Sequence, residues 1–121
     1  MTITAQRNFG NRGETIAREY LDRQGYLIIA SNYRAGHLEI DLIAKQDNQT
    51  IFIEVKTRLK TANSLRENPL TKWQTANLKR AIVDYCYKNR INFDLVRLDL
   101  IVILIDRHKK MAELKHYRDI F

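Results

Sequence analysis

Apolar and polar positions alternate along the chain in patterns that predict an order of elements. Residues 11 to 24 carry Ala17, Tyr20, Leu21 and Gln24 at three- and four-residue intervals, the period of a helix that packs on one side. Gly25 can end it, and Asn11, with Glu14 three residues later, offers an N-cap. Tyr26 to Ile29 predicts a short apolar strand, and Ala30 to Gly36 a loop.

Leu38 to Lys45 and Thr50 to Thr57 alternate with period two, as half-buried strands do, around the turn Gln46 to Gln49. Leu59 to Leu70 has no clear period, holds the only proline, Pro69, and predicts a mobile loop. Thr71 followed by Gln74 is a capping-box start, and Leu78, Ala81, Ile82 and Tyr85 form the buried stripe of a second helix ending near Arg90. Leu95 to Ile105 is almost continuously apolar and predicts a central strand; Met111 to Tyr117, after a turn, predicts a more exposed one. The expected fold is a single α/β domain over residues 1–121, a mixed sheet flanked by helices in the order α-β-β-β-α-β-β.

The hairpin of residues 38 to 58 raises a question, because Glu39, Asp41, Glu54 and Lys56 interrupt its apolar pattern. Centring the turn on Asp47 and Asn48 makes paired residue numbers sum to 95, setting Asp41 opposite Glu54 and Glu39 opposite Lys56. Leu42 then faces Ile53, Ala44 faces Ile51, and the apolar residues share one face while the charged ones share the other. A slip by one residue would mix the two faces. Opposed carboxylates on a sheet have Cβ atoms about 4.5 to 5.5 Å apart and repel. A shared proton, the Lys56 ammonium or a divalent cation could offset that repulsion. The alternative is a solvent-facing hairpin whose charges are simply hydrated, with Glu39 and Lys56 as an ordinary cross-strand ion pair.

Composition changes the picture at one place. The net charge is +7, and residues 56 to 90 hold nine basic residues against two acidic ones, so the whole excess sits in that third. Such a localised excess fits either a polyanion footprint or a solvated face. The single cysteine, Cys86, precludes an intrachain disulfide. The start, MTITAQRNFGNRGE, lacks a signal peptide's apolar core, and the longest apolar run is well short of the roughly 20 residues that span a bilayer, so a cytoplasmic chain without a membrane partner is expected.

Asp41, followed after thirteen residues by Glu54-Val55-Lys56, resembles the active-site signature of the PD-(D/E)xK nuclease superfamily. The segments GNRGETIAREYLDRQGYLIIASNYR, EIDLIA, IFIEVKTR, KWQTANLKRA, RLDLIV and KHYRDIF together resemble the YraN-like family of predicted endonucleases over nearly the whole chain. That resemblance implies a restriction-endonuclease-like core most similar to archaeal Holliday-junction resolvases, and a metal-dependent DNA endonuclease, with RNA left open as a substrate. Asp41, Glu54 and Val55 would then hold Mg2+ or Mn2+, Lys56 would handle the attacking water, and Glu14 would add a further carboxylate. Without the resemblance, Glu14 reads as the capping partner of Asn11.

Arg58, Lys60 and Arg66 flank the E-x-K strand and are candidates for backbone phosphate contacts, as are Lys72 and Gln74 at the second helix's start. Trp73 reads as a core or interface residue in preference to a base-stacking platform. His37, His108 and His116 lack metal-ligand spacing, and Asp99 beside Arg97 suggests an ion pair. The alternative function is a non-catalytic nucleic-acid-binding module that keeps the nuclease fold. Cutting two strands of a junction would make a symmetric dimer attractive.

Overall fold

The computed structural model describes residues 2–62 and 70–121, with side chains from residue 12 onward. Its elements are α1 (Thr2–Arg23), β1 (Leu27–Ala35), β2 (Leu38–Gln46), β3 (Gln49–Leu59), α2 (Lys72–Lys88), a short 3-10 turn (Phe93–Leu95), β4 (Arg97–Asp106) and β5 (Met111–Tyr117). The five strands form one mixed sheet in the order β1-β2-β3-β4-β5. Only β3 and β4 run parallel, as a strand pair joined through a helix can; the other neighbours are antiparallel. The chain is thus α/β, with a sheet flanked by helices in the expected element order, consistent with a restriction-endonuclease-like core.

Each face of the sheet carries its own apolar layer. Ala17 and Leu21 of α1 pack with Leu42, Ala44, Ile51, Ile53, Ile101 and Ile103, while Leu78, Ala81, Ile82 and Cys86 of α2 pack with Ile43, Phe52, Leu98, Leu100 and Leu104. Odd and even positions of β4 divide cleanly between the layers, which explains its unbroken apolar run: a strand covered on both sides has no polar face. The same holds for the middle of the hairpin, so the expected division into one apolar and one charged face is corrected. Ile43 and Phe52 are fully buried on the side assigned to charge.

Three boundaries also differ from expectation. The first helix begins at Thr2, so Asn11 lies inside it and cannot cap it. The first strand runs on to Ala35 instead of stopping at Ile29; its polar residues are tolerated because β1 is an edge strand, paired on one side only. β4 starts at Arg97, since the 3-10 turn occupies Phe93–Leu95. Most of the loop expected over Leu59 to Leu70, including Arg66 and Pro69, lies outside the described residues. Among the described residues no helix is long and apolar enough to cross a membrane.

Candidate active site

The register of the β2–β3 hairpin matches the one expected from its turn: Leu42 faces Ile53 and Ala44 faces Ile51. The ladder then stops at Leu42, while β2 continues to pair with β1 through Ile40, Glu39 and Leu38. At the same point the side-chain alternation breaks. Ile40 joins the α2-side layer and Leu42 the α1-side layer, although residues two apart on a regular strand share a face. Asp41 sits at this break, and its Oδ2 accepts the backbone N–H of Val55 at 2.8 Å. The expected flat cross-strand pair is therefore corrected: β2 and β3 separate at Asp41, and its side chain bridges the gap.

Glu54 still meets Asp41. It is buried, hydrogen-bonds to the Asp41 carboxyl, and has its pKa pushed up to about 9. Burial is the largest cause, followed by the hydrogen bond that protonated Glu54 donates to Asp41 and the negative charge of Asp41; the Lys56 ammonium opposes the shift. The repulsion foreseen from the sequence thus favours a protonated Glu54 beside the Asp41 carboxylate.

Glu14 reaches the same place from α1. Its pKa is raised, first by burial and then by Asp41, with a smaller contribution from Glu39, and Arg18 on the next turn opposes the shift from 4.0 Å. Gly13 makes this approach possible: a Cβ built on it would run into Thr57 Oγ1 of β3, so helix and strand can touch only where the helix lacks a side chain. With Asn11 inside the helix, the capping explanation for Glu14 no longer applies.

A cleft of ≈ 220 Å³ opens beside the carboxylates on the α2 side, lined by His37, Leu38, Glu39, Glu54, Lys56, Trp73, Gln74, Asn77 and Leu78. Lys56 thus stands in the same cleft as Glu54. Glu39 lines it too, but its ion pair is with Arg34 across the β1–β2 ladder at 3.5 Å, which corrects the expected pairing with Lys56. The splaying of β2 from β3 is the reason, since Glu39 keeps its neighbour on β1 and loses the one on β3. Val55 turns its side chain to the α1-side layer, so only its main-chain carbonyl could serve as a ligand.

Of the candidate phosphate contacts, Gln74 lines this cleft, while Arg58, Lys60 and Lys72 do not. Arg58 is exposed and donates to the carbonyl of Thr57 at 3.1 Å, while Lys60 is paired with Glu113 of β5 at 3.4 Å. Lys72 is exposed at the first position of α2. Gln74 is committed to the capping box: its N–H donates to Thr71 Oγ1 and its Oε1 accepts the N–H of Thr71. Arg66 lies outside the described residues. Sequence reasoning missed Asn77, which nothing but its place on α2 marks, and Gly13, whose signal was a glycine inside a helix.

The pattern of Uncharacterised protein family UPF0102 matches residues 13–103, a span that opens on Gly13 and closes within β4. The chain belongs to the UPF0102 family. It is 35% identical over 113 residues to a UPF0102 protein of Chloroherpeton thalassium, covering 93% of this chain and 88% of that one. A Syntrophomonas wolfei UPF0102 protein is 33% identical over 103 residues, covering 85% and 90%, and one from Bacteroides thetaiotaomicron is 35% identical over 97 residues, covering 78% of each. The UPF0102 span contains Glu14, Asp41, Glu54 and Lys56 together, so the cleft lies within the matched residues. Among the described residues no three His, Cys, Asp or Glu side chains are placed to hold a metal by themselves. In this UPF0102 chain a cation would rest on two carboxylates, with main-chain oxygen and water completing its shell, an arrangement that suits Mg2+.

Proposed function

We propose that this UPF0102 chain is a metal-dependent endonuclease of the PD-(D/E)xK kind that hydrolyses DNA phosphodiester bonds in the cytoplasm. The observation that carries the proposal is the Asp41–Glu54 pair: a buried and a half-buried carboxylate held together from separating strands, one of them retaining a proton to about pH 9. A fold keeps such a costly pair where a divalent cation can replace the proton.

Asp41 and Glu54 would hold Mg2+ or Mn2+ with the carbonyl of Val55. Bound there, the cation supplies positive charge to a phosphoryl oxygen. Lys56, projecting into the same cleft, orients a water for attack on phosphorus from the side opposite the leaving oxygen. Glu14, near Asp41 and partly buried, accepts a hydrogen bond from such a water and withholds it from bulk solvent. As the water oxygen bonds to phosphorus it passes a proton to the Glu14 carboxylate, the ester P–O bond breaks, and the departing oxygen takes up a proton from solvent water. The exposed Arg58 and Lys72 would contact flanking phosphates without reading sequence.

The test is incubation with supercoiled plasmid, linear duplex, flapped DNA and a four-way junction, each with Mg2+, Mn2+ or chelator. Cation-dependent cleavage that disappears in Asp41→Ala and Glu54→Ala variants is expected. Cleavage surviving in those variants, or DNA binding with no cleavage of any substrate, would overturn the proposal, the latter in favour of a binding module.

A further inference from the structure

Trp73 is 73% exposed, although a large aromatic normally lies inside the fold; of the two places expected for it, core or interface, the core is thereby corrected. It is the chain's only tryptophan and stands at the second position of α2, where the Thr71–Gln74 capping box fixes the backbone beneath it. Among the described residues no aromatic ring stacks on it. It lines the same cleft as Glu54 and Lys56, as does the buried Leu78.

We infer that Trp73 is a stacking platform for an unpaired nucleobase, and that the nucleic acid taken by this cleft has a single-stranded or splayed nucleotide next to the phosphate at Lys56. This deepens the endonuclease reading and rests on it. A base inside a duplex has both faces covered by its neighbours, so an indole at the cleft wall can stack only on a base that has left the helix. Charge supports a nucleic-acid occupant over an apolar one: β3 beyond Lys56 and the whole of α2 lie in the segment that carries the chain's entire +7 excess. Stacking tolerates any base, so the inference predicts a preference for strand structure and none for sequence. Flaps, gaps and junction arms fall within that class, whereas blunt duplex does not.

Because Trp73 is the sole indole, its fluorescence reports on this contact directly. The full chain, in chelator so that binding is read apart from cleavage, is titrated with a short oligothymidylate and with a blunt hairpin duplex of equal charge. Quenching by the single strand at concentrations where the duplex leaves the signal unchanged is the expected result. By anisotropy of a labelled oligothymidylate, Trp73→Ala binds roughly 5- to 150-fold more weakly, Trp73→Phe recovers part of the loss, and duplex affinity does not move. Equal quenching by both ligands, or unchanged single-strand affinity in Trp73→Ala, would overturn the inference while leaving cation-dependent cleavage to be judged separately. Emission that changes with protein concentration and not with DNA would also overturn it, assigning Trp73 to contact between copies. Single-strand quenching without cleavage of any substrate would support the stacking surface and count only against the endonuclease reading.

Discussion

The backbone N–H of Val55 donates to Oδ2 of Asp41 at 2.8 Å, so a carboxylate from one strand replaces the ladder partner that the next strand has lost. Asp41 therefore has two roles, one structural and one as a candidate ligand, which substitutions can separate. Asparagine keeps an acceptor for Val55 and alanine does not. Asp41→Ala should lose about 1–3 kcal/mol, the cost of leaving that part-buried N–H unpaired, while Asp41→Asn stays close to the parent. Both should lose cleavage. Urea unfolding of the two variants, set beside their activity, checks the separation.

Glu54 makes stability depend on pH. Its folded-state pKa of about 9 lies above the ordinary 4.5, so the folded chain holds a proton that the unfolded chain has released throughout that interval. The resulting stabilisation is fully present below about pH 4.5 and is lost as pH rises through about 9. In metal-free buffer, melting temperatures should fall over this window. Glu54→Gln, permanently neutral, should flatten this component of the slope, and Mg2+ should restore stability at the alkaline end for the parent only.

Lys56 is half-buried in the cleft beside Glu54, and its ammonium opposes the rise in the Glu54 pKa. If it orients the water, Lys56→Ala should lower the single-turnover cleavage rate by about 10²–10⁴-fold with little change in DNA affinity. Arg58→Ala should behave the other way, weakening binding and its salt dependence while leaving the rate at saturating DNA nearly intact. Quench-flow at saturating and limiting DNA distinguishes the two.

The element order, the hairpin register and the Thr71–Gln74 cap were legible because each depends on contacts within about one turn or one hairpin. The break at Asp41 was not, because period-two reasoning assumes an unbroken strand and cannot see where a neighbour departs. Polar β1 looked like a loop past Ile29 because an edge strand can form without an apolar face. The Asp41–Glu54 pairing was visible as opposed charges, while its burial depended on α1 and α2 closing over the sheet. The partners of Asp99 were visible only in part: Arg97 is its neighbour on the strand, but His116 and Asp119 arrive through the fold.

Gly13 tests how α1 delivers Glu14. Gly13→Ala would place a methyl group against Thr57 Oγ1 and force the helix away from β3. Overpacking of this kind costs roughly 1–3 kcal/mol, and the displaced helix should also reduce cleavage. Thr57→Ala removes the obstructing atoms, so the double variant should recover much of the lost stability. A double-mutant cycle followed by thermal melting measures the coupling, and additive losses would show that the two positions do not meet.

A buried network centred on Asp99 joins α1, β4 and β5. The side chain is fully buried, and its Oδ1 accepts from Arg97 Nε at 2.8 Å and the backbone N–H of Asp119 at 3.0 Å. Its Oδ2 accepts from Arg97 Nη2 at 2.9 Å and pairs with His116 Nε2 at 2.7 Å, while His116 Nδ1 pairs with Tyr20 OH of α1 at 2.8 Å. Burial alone would raise the Asp99 pKa, but the hydrogen bonds from His116, Arg97 and Asp119, with the Arg97 charge, hold it below the usual 3.8. Its stabilising contribution is therefore present above that value and lost as pH falls through the lower folded-state one. Asp99→Asn turns one acceptor into a donor facing donors and leaves Arg97 without its counter-charge, a change worth about 3–5 kcal/mol. The variant should unfold at lower urea and lose the acid-side component of the parent's pH dependence. His116→Ala, which removes a single bond to Asp99, should cost less, and the two losses should combine non-additively because they break one network. Equal stability of Asp99→Asn and the parent at neutral pH would show that the network does not hold α1, β4 and β5 together.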